Sequence, residues 1–338
     1  MKKHRGLKIL GIVIASLLVF FVVINIIPPK KAVENNPFIG DKVMLVAHRG
    51  GKTSNPENTL KAFDAAVNEF EVDVLEMDLC LTKDGKLVII HNLYLDDNSD
   101  IEEVTNTVGD EARHYVNDYT YAELLNLNLG YKFVAEDGST PYKDIVTFTQ
   151  SDRKEALQAN HLNIITINEL LDHFYTSNPD LLYIVEIKNG DELGCQAADI
   201  LNELLTVTYP NYVDNVVIGT FHPEIEAYLG SSCPKLMRGA STSGAAGFLI
   251  SQLLKVNLFV NSDFYCLQIP TSYNIKEIKL NLLKTNYIKR AHQRNIAVQY
   301  WTINDEETMN TIIDYGADAI MTDNPKLLKK VLEERGLR

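Results

Sequence analysis

Nowhere in this sequence do two cysteines follow the C-x-x-C spacing: Cys80, Cys195, Cys233 and Cys266 stand far apart. That spacing argues against a zinc site. Free thiols are the expectation, although a chain outside the cytoplasm is permitted disulfides. There is no G-x-S-x-G nucleophile elbow, which removes the usual serine route to acyl transfer. A G-x-x-x-x-G-K-[ST] loop is missing too, and with it the nucleotide kinases. Positive charge is in short supply: 32 Lys and Arg against 45 Asp and Glu leave a net charge of −13. A nucleic-acid binder needs a basic face to neutralise phosphates, so that class is set aside. Internal repeats and low-complexity tracts are absent, and tryptophan occurs once, at Trp301.

What is present separates near residue 30. Ile9 to Ile27 is almost wholly apolar, interrupted only by Ser16 and Asn25 among strongly polar residues. At a rise of about 1.5 Å per residue this run can just cross a bilayer's hydrocarbon core. Lys2, Lys3, Arg5 and Lys8 precede it and only Lys30 and Lys31 follow closely, which keeps the amino terminus cytoplasmic. No small-x-small cleavage site follows; Ile26-Ile27-Pro28-Pro29 is a poor one. The expectation is an uncleaved signal anchor over residues 1–30, a linker over 31–42, and a body over 43–338. The protein is then a single-pass protein of the cell membrane with its body extracytoplasmic. Hydrophobic content of 46% and charged content of 23% fit a globular body.

Along that body, strand-like runs recur with helical stretches between them. They are Leu45-Ala47, Val74-Leu79, Leu87-Ile90, Leu182-Ile187, Val216-Thr220, Tyr265-Ile269, Ile296-Thr302 and Ala319-Thr322, with Lys235-Gly239 weaker. Such β–α alternation predicts an α/β fold, a TIM-type (β/α)₈ barrel. Residues 93–163 break the alternation and read as an insertion over one end of the barrel, a natural lid. Within it, Thr120 to Glu123 forms a capping box ahead of a Leu-rich helix; Thr166 to Glu169 forms another just beyond.

The chemistry-bearing residues follow strands. His48 and Arg49 come directly after the first apolar run, where α/β enzymes place their polar groups. In "VLEMDLCL", strand alternation puts Glu76 and Asp78 on one face and Met77 on the other. Two adjacent carboxylates repel, and a hard divalent cation, Mg²⁺ or Ca²⁺, is the economical remedy. The Asp84-Gly85 pair predicts a two-residue hairpin turn, which sets Asp78 directly opposite His91; a parallel return of the chain also brings His91 to the same end. Glu186 and Lys188 again lie two apart at a strand's end. Glu186 is a third candidate carboxylate. Lys188 either faces an anion or neutralises Glu186. Two histidines suit acid and base roles near neutral pH, and Arg49 with Lys188 suits a phosphate. The inventory points to phosphodiester cleavage.

At these residues the sequence resembles the glycerophosphodiester phosphodiesterase family. The resemblance runs along "AHRGG…PENTLKAF", "LEMDLCLTKDGKLVIIH", "VEIK", "LQIP", "YWTIND" and "DAIMTDNP", in the family's order. It implies a TIM-type barrel and a metal-dependent hydrolysis releasing an alcohol and glycerol 3-phosphate. Carried over by position, Glu76, Asp78 and Glu186 are the metal ligands and His48 and His91 the acid–base pair. Arg49 and Lys188 are phosphate contacts, and Trp301 falls where the family has an aromatic near the glycerol moiety. Asn92 stands where the family usually has Asp, and Asp96 replaces a usual basic residue nearby. The acids Asp96, Asp97 and Asp100 then suggest a cationic headgroup such as choline or ethanolamine. Two alternatives stand beside this reading. One is phospholipase D-type action on lysophospholipids or on glycerol-phosphate polymers; the other is a non-catalytic envelope protein that binds ligand. No protein partner is inferable.

Overall fold

Apolar β-rich runs of two to eight residues, each closed by a polar loop, assemble here into one curved nine-stranded sheet and a separate two-stranded hairpin. The computed structural model describes residues 2–27, 29–109, 112–148, 151–256, 258, 261–276 and 278–338. Its strands are β1 (Met44–Ala47), β2 (Val74–Leu81), β3 (Leu87–Ile89), β4 (Leu182–Ile187), β5 (Val216–Gly219), β6 (Met237–Arg238), β7 (Cys266–Ile269), β8 (Ser272–Ile275), β9 (Ile278–Asn281), β10 (Ala297–Tyr300) and β11 (Ala319–Thr322). Eight of them run parallel in the order β6-β5-β4-β2-β1-β11-β10-β7. A parallel bridge between Gly239 and Cys266 brings the two ends together. The result is a nearly closed eight-stranded barrel, as the alternation predicts. The weakest strand candidate, Lys235-Gly239, contributes the shortest strand.

Alternation along each strand sorts the core into two layers. Val46, Val74, Leu182, Ile184, Val217, Ala297 and Ala319 fill the barrel interior. Leu45, Leu75, Met77, Val185 and Tyr300 belong to the larger apolar cluster formed with the surrounding helices. Both faces are covered, which is why these strands read as continuous apolar runs. Helix Leu60–Asn68 illustrates the outer layer. Thr59 caps it by accepting from the Ala62 N–H, and Ala62, Phe63, Ala66 and Val67 are buried.

Residues 29–40 do not hang free. The Ala32 N–H donates to the Arg294 carbonyl, and Asn36 Nδ2 donates to the carbonyls of Tyr265 and Asn295. Those residues sit at the amino-terminal ends of β7 and β10. Phe38, fully buried, joins the interior cluster from the same end. Before this segment, Lys2–Ile26 is one helix. Its stretch Lys8–Ile26 has a mean hydropathy of 3.0 and is long and apolar enough to cross a membrane.

Two expectations, one for the β2–β3 hairpin and one for the insertion, change. The β2–β3 hairpin is antiparallel, but Leu79 faces Ile89 and the Thr82 N–H donates to the Lys86 carbonyl. The loop therefore holds three residues, with Gly85 at φ 73° in the left-handed region that three-residue hairpins need. Asp78 consequently aligns with Ile90, one residue short of His91. The acidic loop is also not a headgroup surface. Asp96 is buried and accepts from the backbone N–H and Nδ1 of His114. Asp100 is buried, pairs with Arg153 and accepts from the Asn128 N–H. Only Asp97 of the three stays exposed, half of its side chain open beside Arg113. Both capping boxes form as expected.

Candidate active site

The site begins where β1 stops. Arg49 adopts φ 52° and Gly50 and Gly51 follow at φ 80° and 91°, a tight left-handed path that glycine tolerates. Space demands glycine as well: a Cβ on Gly50 would lie 2.8 Å from Ala62 Cβ, and one on Gly51 would lie 2.6 Å from Pro325. This clamp between two helices turns the chain so that His48 and Arg49 sit at the barrel's carboxyl-terminal mouth.

Glu76 and Asp78 enter the mouth from β2, and parallel pairing sets Asp78 beside Glu186 of β4. One carboxylate oxygen from each of Glu76, Asp78 and Glu186 lies within 4.8 Å of the others. Burial drives the Glu76 carboxyl well above its ordinary range and the charge of Asp78 pushes the same way, only partly offset by the Arg49 N–H. Burial also raises Glu186, against the pull of Lys188. Buried acids that repel one another in this way call for a cation. Oxygen donors alone, without nitrogen or sulfur, fit a hard divalent ion such as Mg²⁺ or Ca²⁺. The donor set therefore fits the metal that the sequence suggests.

Two cationic side chains already line the cluster. Lys188 Nζ donates to Glu186 at 2.7 Å and lies 3.6 Å from Asp78. Burial acts to lower the Lys188 pKa, but the two carboxylates outweigh it and hold the ammonium charged. Arg49 donates from its N–H to Glu76 at 2.8 Å and from Nη1 to both oxygens of Glu57. Its Nε is buried without a hydrogen bond, 3.4 Å from Asp78. Asn58 Nδ2 donates to Asp78 at 3.0 Å.

The two histidines differ in their backing. His48 Nδ1 meets Asp323 Oδ1 at 2.6 Å. A carboxylate only accepts, so Nδ1 carries the proton and Nε2 turns to the cluster, 3.9 Å from Glu76. Burial alone would raise the Asp323 carboxyl; bonds from His48 and Asn304 and the charges of His48 and Lys52 bring it below the ordinary value. His91 Nδ1 meets a neutral amide, Asn92 Oδ1, at 2.7 Å, and Asn92 Nδ2 donates to Asp97. Burial lowers the His91 pKa below 6.5, against the nearby charge of Asp78. Trp301, at the end of β10, is partly exposed and stacks edge-on with Phe221, their ring centroids 6.1 Å apart. It stands across the mouth, without a hydrogen bond to the cluster.

Sequence reasoning assigned no role to Asp323, Glu57 or Asn58. All three lie in stretches that carry the resemblance, "MTDNP" and "PENT"; their contacts form only when β11 closes on β1 and the loop folds over β2.

Residues 48–327 match the model of the glycerophosphoryl diester phosphodiesterase family. The chain belongs to that family. Among curated proteins, a glycerophosphodiester phosphodiesterase of Bacillus subtilis (strain 168) is 25% identical over 335 residues, 98% of this chain and 99% of its own length. One from Caldanaerobacter subterraneus is 25% identical over 295 residues, 87% of this chain and all of its own. Among solved structures, an Oleispira antarctica phosphodiesterase in complex with the product sn-glycerol 3-phosphate superposes with a TM-score of 0.59 at 18% identity, covering 88% of this chain and 98% of that one. As a glycerophosphoryl diester phosphodiesterase, the protein is an enzyme, which sets aside the binding-only alternative.

Proposed function

We propose that this enzyme hydrolyses glycerophosphodiesters to an alcohol and glycerol 3-phosphate in a metal-dependent reaction at the β1–β2–β4 mouth. The convergence of Glu76, Asp78 and Glu186 beside His48 carries the reading. Those three carboxylates would hold Mg²⁺ or Ca²⁺. When bound, such an ion polarises phosphoryl oxygens and stabilises the negative charge that develops on them. Arg49, whose Nε makes no hydrogen bond, and Lys188 bind and orient the phosphodiester. His91, kept neutral by burial, accepts the proton of the attacking oxygen. His48, acting as the imidazolium whose Nδ1–H is held by Asp323, delivers its Nε2 proton to the departing alkoxide and is left as the neutral Nδ1–H tautomer. Trp301 packs against the glycerol moiety, and Phe221 supports its ring.

Residues 1–30 are read as a membrane anchor, 31–42 as a linker and 43–338 as the catalytic body with its insertion at 93–163. The charge bias around the apolar run supports a cytoplasmic tip and an extracytoplasmic barrel.

The test follows glycerol 3-phosphate release from glycerophosphocholine and glycerophosphoethanolamine by the full chain. EDTA abolishes release, Mg²⁺ or Ca²⁺ restores it, and His48→Ala removes it while the fold survives by circular dichroism. Release undiminished by EDTA, or unaffected by His48→Ala, sinks the reading.

A further inference from the structure

Beyond the chemistry, the two ends of the barrel point to different surroundings. The candidate catalytic groups lie at the carboxyl-terminal end of the barrel: His48 and Arg49 after β1, Lys188 after β4, Trp301 after β10 and Asp323 after β11, with Glu76 one residue past the level at which β1 ends, since Ala47 pairs with Leu75. The amino-terminal helix joins the opposite end. Its residues 8–23 are exposed, and contact with the body begins at Ile24, which is buried. Asn25 Nδ2 donates to the Lys255 carbonyl, and Arg290 Nη2 donates to Asn25 Oδ1. Lys255 follows helix Thr242–Leu253, and Arg290 lies in the last turn of helix Thr285–His292. Both helices descend from the mouth toward the amino-terminal end, where Ala32 and Asn36 are also bound.

Around that junction the surface suits a bilayer. Ile250, Leu253 and Leu254 are 55%, 56% and 61% exposed on one helix end, an apolar patch that a soluble monomer has no reason to present. Lys255, directly after Leu254, is exposed, as are Lys30 and Lys289 on the segments that meet at the Asn25 junction, although the chain as a whole is acidic. Aliphatic side chains accompanied by lysines match the acyl boundary and anionic headgroups of a membrane surface. Continuity with the anchor fixes this occupant. The nineteen residues Lys8–Ile26 extend about 28 Å, the thickness of the hydrocarbon core. Asn25 and its partner Lys255 then lie at the interface, with Leu253 and Leu254 within a turn of it.

We propose that the amino-terminal face of the barrel rests on the outer surface of the membrane through Ile250, Leu253 and Leu254, with the catalytic mouth turned away into the aqueous phase. The substrates are then water-soluble phosphodiesters, deacylated or polymeric, rather than lysophospholipids held in the same bilayer. Helix Thr242–Leu253 alone separates mouth from membrane by about 18 Å, too far for a headgroup whose acyl chain stays embedded. This inference rests on the anchor assigned under the proposed function.

Trp301 supplies the test, because it is the single tryptophan and stands at the mouth. The full chain is reconstituted into phosphatidylcholine–phosphatidylglycerol vesicles containing lipids brominated along the acyl chains. The expected result is that Trp301 keeps its emission in brominated vesicles yet is quenched by aqueous acrylamide. In a Trp301→Phe background, Leu253→Trp and, separately, Ile250→Trp lose most of their emission to brominated lipid. Quenching of Trp301 by brominated lipid, failure of both introduced tryptophans to be quenched, or failure of the chain to float with the vesicles overturns the proposal. In parallel, added glycerophosphocholine is cleaved while lysophosphatidylcholine embedded in the vesicles is not; equal cleavage of both also overturns it. Absence of cleavage with either substrate strikes the proposed reaction instead and leaves the fluorescence result standing.

Discussion

At one end of the barrel, Phe38 seals an interior of Val46, Val74, Leu182, Val217, Ala297 and Ala319. Two to six residues further along the same chain runs stand Glu76, Asp78, Glu186, His48 and Lys188, crowded with charge. The floor gains stability by excluding water from apolar side chains. The mouth does the reverse: it gathers repelling carboxylates at a cost to the fold, for the field that the proposed catalysis uses. Activity and stability in this protein are therefore carried by different residues of the same β-strands, and substitutions should separate them.

The sharpest separation is expected at Glu76. Glu76→Gln should cut kcat/KM about 10³-fold through loss of a metal ligand, measured with saturating Mg²⁺ or Ca²⁺. Its stability effect has the opposite sign. Folding raises the Glu76 pKa above its ordinary 4.5, so above the raised pKa the native state carries a charge it disfavours. In EDTA at alkaline pH the variant should melt above the wild type, the gap closing as pH falls through the raised pKa. A lower melting temperature at every pH would break the comparison.

Phe38→Ala tests the floor. Removing a fully buried phenyl ring should cost about 3–5 kcal/mol in denaturant unfolding and leave kcat per folded molecule unchanged. Asp323→Asn tests the mouth without touching the carboxylate cluster. An amide in place of the carboxylate no longer stabilises the imidazolium from which His48 gives up its Nε2 proton, and kcat should fall about 10²-fold with KM little altered. A loss confined to KM would make Asp323 a binding residue instead.

The smallest effect is expected at Asn92. A carboxylate there favours the imidazolium of His91, whose pKa now lies below 6.5. Asn92→Asp should move the acid limb of the kcat/KM profile upward by about one pH unit, costing activity near pH 6 and little near pH 8. An unmoved limb would show that His91 is not the base. The variant also sets two acids together, because Asn92 now donates to Asp97, so the loop should loosen slightly.

Residues that act through strand periodicity were legible before folding. Glu76 and Asp78, two apart on β2, needed only alternation to be placed on one face, and His48 needed only its position after an apolar run. Contacts made by tertiary closure were not legible. Asp323 reaches His48 only because β11 pairs with β1. Asp96 and Asp100 look solvated in sequence and are buried because His114 and Arg153 come back to meet them. The hairpin register turned on whether Gly85 belongs to a two- or a three-residue loop, and an Asp-Gly pair is compatible with both. Phe38, in a segment that reads as a tether, became the floor of the barrel because the chain doubles under β7 and β10.

The His48–Asp323 bond spans 275 residues, nearly the full body, and this sets when the enzyme can exist during its own synthesis. A ribosome delivers Asp323 long after His48. Every nascent chain that stops short of β11 has β1 exposed along the edge that β11 will occupy and lacks the partner that fixes the His48 ring. The site is therefore completed in one step, when β11 emerges and pairs with β1. Prematurely terminated products are left without a working site.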